Sequence, residues 1–136
     1  MDYTISKVAE KMNLTPSTLR YYDKEGLLPF VARTESGIRT FTDTDLQWLD
    51  IIECLKNTSM PIKDIKIFID WCMQGDATLQ ERYDMFIERK EIVEKQMADL
   101  QKTLDTINYK CWYYKTALEA GTEKINKDIE PGHISE

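Results

Sequence analysis

Thr4-Ile5-Ser6-Lys7-Val8-Ala9-Glu10-Lys11-Met12-Asn13-Leu14-Thr15-Pro16-Ser17-Thr18-Leu19-Arg20-Tyr21-Tyr22-Asp23 predicts two short helices around a tight turn. Thr4 can cap the first helix, after which Ile5, Val8, Ala9 and Met12 fall at helical spacing. Asn13 suits the turn because it tolerates a left-handed backbone. Thr15 can cap the second helix, with Pro16 at the first position, where a missing N–H costs nothing. Ser17, Thr18, Arg20, Tyr21 and Tyr22 on that second helix are all able to meet phosphates or base edges. The expectation is a DNA-binding helix-turn-helix.

Downstream, residues 28–41 hold Pro29, Gly37 and the apolar Phe30, Val31, Ile38 and Phe41. They predict a short two-stranded wing turning near Glu35-Ser36-Gly37. Thr42 and Asp45 form a capping-box pattern that opens a third helix running to about Asn57. Pro61 starts a fourth helix, with Ile62, Ile65, Phe68, Ile69 and Cys72 on one face. After Gly75 and Asp76, Thr78 and Glu81 suggest a second capping box and a fifth helix.

That fifth helix carries Leu79, Tyr83, Phe86, Lys90, Val93, Met97, Leu100, Leu104, Ile107, Cys111, Tyr114 and Leu118 at alternating steps of four and three. This is an unbroken heptad seam in which Lys90 is the sole charge. Forty helical residues reach roughly 60 Å, more than a small head can cover, so the seam predicts a partner helix and a homodimer. The alternative is a long helix folded onto its own domain. The spacing does not fix parallel or antiparallel pairing. Three segments follow: a winged helix-turn-helix domain over 1–75, a coiled-coil dimerisation helix over 78–118, and a polar tail expected to fray over 119–136. The fold class is mainly α.

Composition sets limits on this reading. The chain has 136 residues, 42% of them hydrophobic and 31% charged, enough for one domain plus an appendage. No apolar run is long enough for a membrane span, and nothing near Asp2 resembles a secretory signal. Three cysteines without close spacing point to a reducing compartment, hence to the cytoplasm. The net charge of −6 runs against a nucleic-acid binder. Its distribution matters more than its sum. Residues 1–42 carry Lys7, Lys11, Arg20, Lys24, Arg33 and Arg39 against Asp2, Glu10, Asp23, Glu25 and Glu35, a balance of +1. Loose, sequence-independent binding should therefore be weak, and binding should rest on a few placed contacts. No enzyme is expected. The one histidine, His133, lies in the tail, and there is no Gly-rich phosphate loop, His-Glu helical pair or nucleophile elbow. No cofactor or metal is expected either.

Leu19-Arg20-Tyr21-Tyr22-Asp23, Gly26-Leu27, Pro29, Arg33, Gly37, Arg39 and Phe41 together resemble the MerR family of transcription regulators. The resemblance continues through Lys56 and Ile65 into the long helix. It implies antiparallel pairing of two subunits, an inverted-repeat promoter operator with an over-long spacer, and activation by bending and untwisting that DNA. RNA polymerase at the promoter is then an implied partner. Candidate DNA contacts are Ser17, Thr18, Arg20, Tyr21 and Tyr22 on the second helix, Arg33 and Arg39 beside the wing turn, and Lys56, which matches a backbone-contacting position of the family. One of the two tyrosines is expected to be core, and Arg39 has wing bracing as its alternative role. Val93, Met97, Leu100, Leu104, Ile107, Cys111 and Tyr114 are the candidate dimer contacts.

The signal is a separate question. Cys72 shares an apolar face and Cys111 a seam position, so both read as packing. Cys54 lies off the arc formed by Trp48, Leu49, Ile51, Ile52 and Leu55, near Asp50 and Asn57. From the residues alone, an incidental cysteine and a reactive one both remain open. Ile52-Glu53-Cys54-Leu55-Lys56-Asn57-Thr58 and Trp112-Tyr113-Tyr114 with Gly121-Thr122-Glu123 are similar to the MerR subgroup that answers aldehyde, nitrosative and electrophile stress. That subgroup uses one third-helix cysteine, which implies a sensing thiol at Cys54. Metal-sensing members place cysteines at the start of the long helix and just after it, where this chain has none. Drug-sensing members carry a large domain for which the residues after Leu118 are too few. A non-covalent small effector, and an excisionase-like architectural binder, are the other readings. The long seam and the absence of a basic tail count against the latter.

Overall fold

The structure is a computed structural model that describes residues 2–127. Five α-helices and a two-stranded sheet follow in the order α1 (Ile5–Met12), α2 (Pro16–Lys24), β1 (Ala32–Arg33), β2 (Arg39–Thr40), α3 (Asp43–Asn57), α4 (Ile62–Met73) and α5 (Leu79–Ala120). This is the expected mainly helical class with a small wing. The wing strands pair antiparallel, Ala32 against Thr40 and Arg33 against Arg39.

Local chemistry fixes the helix ends. Thr4 accepts from the Lys7 N–H, and Thr15 from the Thr18 N–H with Pro16 in the first turn. Asn13 is left-handed (φ 55°), and the Leu14 N–H returns to the Ala9 carbonyl at 2.9 Å. At the end of α2 the Leu27 N–H reaches the Tyr22 carbonyl (2.9 Å) and the Gly26 N–H that of Asp23 (3.1 Å), a Schellman closure. Gly26 has φ +81°, which a side chain would strain. The closure turns Leu27 and Leu28 into the core before the wing begins. The predicted capping box of α3 is present, with Thr42 accepting from the Asp45 N–H and Asp45 from the Thr42 N–H.

The chain divides into two compact units, one ending at Arg89 and the next beginning at Lys90. In the first unit Val8, Leu19, Tyr22, Leu27, Phe41, Leu49, Ile52, Leu55, Ile65 and Ile69 form the buried centre. Tyr3 and Phe41 exchange backbone hydrogen bonds at 2.7 and 3.0 Å, which ties the N-terminal segment to the wing. The unit reaches past the anticipated boundary at residue 75, because Phe86 packs edge-on against Phe68 at 5.4 Å and Met85 lies against the core.

The entry to α5 also differs from expectation. Thr78 does not cap it, since its hydroxyl donates to the Trp71 and Gly75 carbonyls and accepts from Arg82 Nε. A 3-10 turn, Gly75–Thr78, leads straight into the helix instead. In the second unit Met97, Leu100, Leu104, Ile107, Tyr114 and Leu118 are exposed, with Leu100 69% accessible. Where the polar run predicts a frayed tail, residues 119–127 carry local structure. The helix runs to Ala120, and a 3-10 turn, Glu123–Asn126, folds back so that Asn126 Nδ2 donates to the Tyr113 carbonyl at 2.9 Å. Tyr109, Ala117 and Asn126 are thereby buried. His133 and the rest of the tail lie outside the described residues.

Thr42→Ala should lower the unfolding free energy by about 0.5–2 kcal/mol, the range for losing an N-cap, while Thr42→Ser stays near wild type. Urea denaturation followed by circular dichroism measures it; equal stability of all three proteins would mean that the box contributes nothing.

Candidate nucleic-acid interface

Two neighbouring residues of α2 organise the basic surface. Asp23 receives both wing arginines on one oxygen. Arg33 Nη2 donates to Asp23 Oδ2 at 2.6 Å, and Arg39 Nε donates to the same atom at 2.8 Å with Nη2 also engaged. Arg33 further donates to the Gly37 carbonyl at 3.2 Å, closing the wing turn. Two guanidinium charges thus share one carboxylate, so the cluster keeps a net positive charge. Arg33 is half exposed (49%), whereas Arg39 is 23% exposed. Arg39 therefore braces the wing, and Arg33 keeps unspent N–H groups toward solvent.

Tyr22 is the second organiser. Its ring is core, 1% exposed, which corrects its expected place among the DNA contacts. With the ring in the apolar core, only the hydroxyl remains to be satisfied. That hydroxyl donates to Glu53 Oε1 at 2.6 Å and accepts from Lys56 Nζ at 3.1 Å. Burial first, and then the Glu53 carboxylate, push the phenol pKa well above its ordinary value, so the proton stays on the oxygen. Lys56 Nζ thus lies beyond the hydroxyl, 5.5 Å from the ring centroid.

The other candidates divide by exposure. Ser17, Arg20 and Tyr21 are exposed on α2. Arg20 makes no hydrogen bond or ion pair within the described residues, so its donors are available. Thr18 is partly turned to its own helix cap, its hydroxyl 2.9 Å from that of Thr15. Lys56 is exposed near the end of α3. Sequence reasoning quoted Asp23 and Glu53 within matching motifs but missed their roles as the acids that hold Arg33, Arg39 and Tyr22. Their partners lie 10 to 31 residues away, a separation that periodicity does not register.

All three cysteines are free; Cys54 and Cys111 are exposed and Cys72 is half-buried. Burial raises the Cys72 thiol pKa, and nearby Arg82 opposes that rise. Cys54 sits in sequence between Glu53 and Lys56, the two residues that hydrogen-bond the Tyr22 hydroxyl. Among the described residues no group of three or more His, Cys, Asp or Glu side chains is placed to hold a metal ion.

Comparison with known proteins bears on this surface. Residues 3–70 match the family described as MerR HTH family regulatory protein. An uncharacterized HTH-type transcriptional regulator of Haemophilus influenzae is 48% identical over 124 residues, covering 91% of this chain and 92% of that one. The HTH-type transcriptional regulator AdhR of Bacillus subtilis is 35% identical over 91 residues, covering 66% of this chain and 65% of its own. The crystal structure of HiNmlR, a MerR family regulator lacking the sensor domain, bound to promoter DNA, superposes with a TM-score of 0.83. It is 48% identical and covers 92% of this chain and 99% of that chain.

Asp23→Ala should cost about 1–3 kcal/mol of stability, the scale of hydrogen bonds to charged groups. Most of the loss should come through Arg39, because half-exposed Arg33 is screened by solvent. Faster amide exchange in β1 and β2, with helix α4 unchanged, is the expected pattern. Unaltered wing exchange would show that the carboxylate does not hold the wing.

Proposed function

The chain belongs to the MerR family of helix-turn-helix regulatory proteins, and from that premise we propose how it works as a regulator. It is a DNA-binding transcription regulator. In the proposed reading two copies pair through the α5 seam and place two heads on an inverted-repeat promoter operator. Arg20, Tyr21 and Ser17 of α2 meet the DNA first, with Thr18 in a minor role. Arg33 from the wing and Lys56 from α3 meet phosphates, while Arg39 supports Arg33. A rigid pair of heads imposes its own spacing on the duplex, so bending and untwisting become part of the readout. RNA polymerase at the promoter is the partner that would use the distorted DNA, in the cytoplasm.

One observation carries this reading. Arg20 is exposed and unspent on α2, one helical turn before Asp23, which holds a wing arginine. Similarity to a regulator crystallised on promoter DNA supports it. The exposed apolar side chains Met97, Leu100, Leu104 and Ile107, together with Val93, Cys111 and Tyr114, support pairing, since a seam of this length left in water is costly.

The proposed signal is an aldehyde, an electrophile or a nitrosating agent acting on Cys54. The thiol is exposed on α3, between the two residues that hold Tyr22 of α2. An adduct would make a small side chain larger or more polar there. Only about 1–3 kcal/mol of difference between two arrangements on DNA makes a useful switch.

Arg20→Ala should weaken operator binding by roughly 1–3 kcal/mol, the worth of one good bidentate contact. Fluorescence anisotropy on the operator duplex measures it, and unchanged affinity would remove α2 from the interface. Cys54→Ser should bind the operator yet fail to induce a reporter under formaldehyde or nitrosoglutathione, while Cys72→Ser and Cys111→Ser still induce. Induction of Cys54→Ser at the wild-type level would rule out the thiol switch.

A further inference from the structure

Tyr22 and Glu53 do more than fill and neutralise. A buried phenol has one proton to give and lone pairs to receive. Here the proton goes to Glu53 Oε1 at 2.6 Å, which turns the lone pairs toward Lys56 Nζ at 3.1 Å. Glu53 and Lys56 stand three residues apart on α3, on either side of the hydroxyl that α2 supplies.

Consider what this does to a lysine. Its four-carbon stem is flexible, and fixing it on a phosphate ordinarily costs side-chain entropy. Holding one of the three ammonium N–H groups on a neutral phenol restricts the stem before DNA arrives. It leaves two N–H groups for a phosphate oxygen, with the Glu53 carboxylate kept one hydrogen bond away from the ammonium. A carboxylate in direct contact would order the stem too, but would offset the charge that attracts the phosphate.

We infer that Tyr22 and Glu53 are positioning residues for DNA binding, acting through Lys56 by pre-ordering its ammonium group for a backbone phosphate. This rests on the reading above that Lys56 meets the DNA.

The test is a double-mutant cycle by fluorescence anisotropy, on a duplex that the wild-type protein selects from a random pool. Lys56→Ala should weaken binding and lower the salt slope by about one, the signature of a lost phosphate contact. Tyr22→Phe keeps the ring and should weaken binding about threefold to tenfold, the range of one hydrogen bond. In the Lys56→Ala background the same change should have no further effect. Glu53→Ala should behave like Tyr22→Phe, and Glu53→Gln, which still accepts a hydrogen bond, should restore most of the affinity. Equal losses from Tyr22→Phe with and without Lys56 would make the hydroxyl merely structural and overturn the inference. So would full affinity of both Tyr22→Phe and Glu53→Ala. If Tyr22→Phe does not fold, the Glu53→Ala and Glu53→Gln pair in the two backgrounds decides alone. If Lys56→Ala binds like wild type with an unchanged slope, the Lys56 contact itself is wrong, and the positioning role falls with it.

Discussion

The head depends on the pair Tyr22-Asp23, two adjacent residues on one helical turn whose side chains leave α2 in different directions. Tyr22 goes into the core and ties α2 to α3 through Glu53 and Lys56. Asp23 goes outward and ties α2 to the wing through Arg33 and Arg39. Every basic group of the proposed surface, Arg20 apart, is therefore referenced to α2 by a hydrogen bond. Such pre-ordering matters for a chain of net charge −6. Weak general attraction to DNA leaves affinity to a small number of contacts, each of which must be in place before binding.

Much of this architecture was legible in the sequence because it is local. Thr4, Thr15 and Thr42 as caps and Asn13 as a left-handed residue act within a turn or two of themselves, and the helical spacing after Leu79 marks the long helix. What was not legible depends on distant partners. Tyr21 and Tyr22 are the same residue type in the same helix, yet one is exposed and one buried, and only the position of α3 decides which. Thr78 looked like a cap because a threonine precedes a helix with Glu81 in its first turn. A preceding 3-10 turn took its hydroxyl for Trp71 and Gly75 instead. The polar run after Glu119 gave no sign that Asn126 would find the Tyr113 carbonyl. The candidate site was legible as a set of basic residues, but the acids that arrange them were not.

The second unit gives the proposed mechanism its symmetry. Apolar side chains exposed from Met97 to Leu118 are costly in water, which favours a surface that covers them. A second copy of the same seam offers a complementary surface of equal length, and two-fold pairing makes two heads equivalent. In that proposed dimer equivalent heads would read equivalent half-sites, and the operator would mirror the protein. In the proposed mechanism the seam would pair two readers, and the hydrogen bonds of Tyr22 and Asp23 set the local shape of each.

The most direct test of this account is selection of duplexes from a random DNA pool by the full chain, followed by sequencing and by sedimentation of the selected complex. The account predicts an inverted repeat of two half-sites occupied by two protomers. Enrichment of a single half-site bound by one protomer, or no enrichment at all, would contradict it.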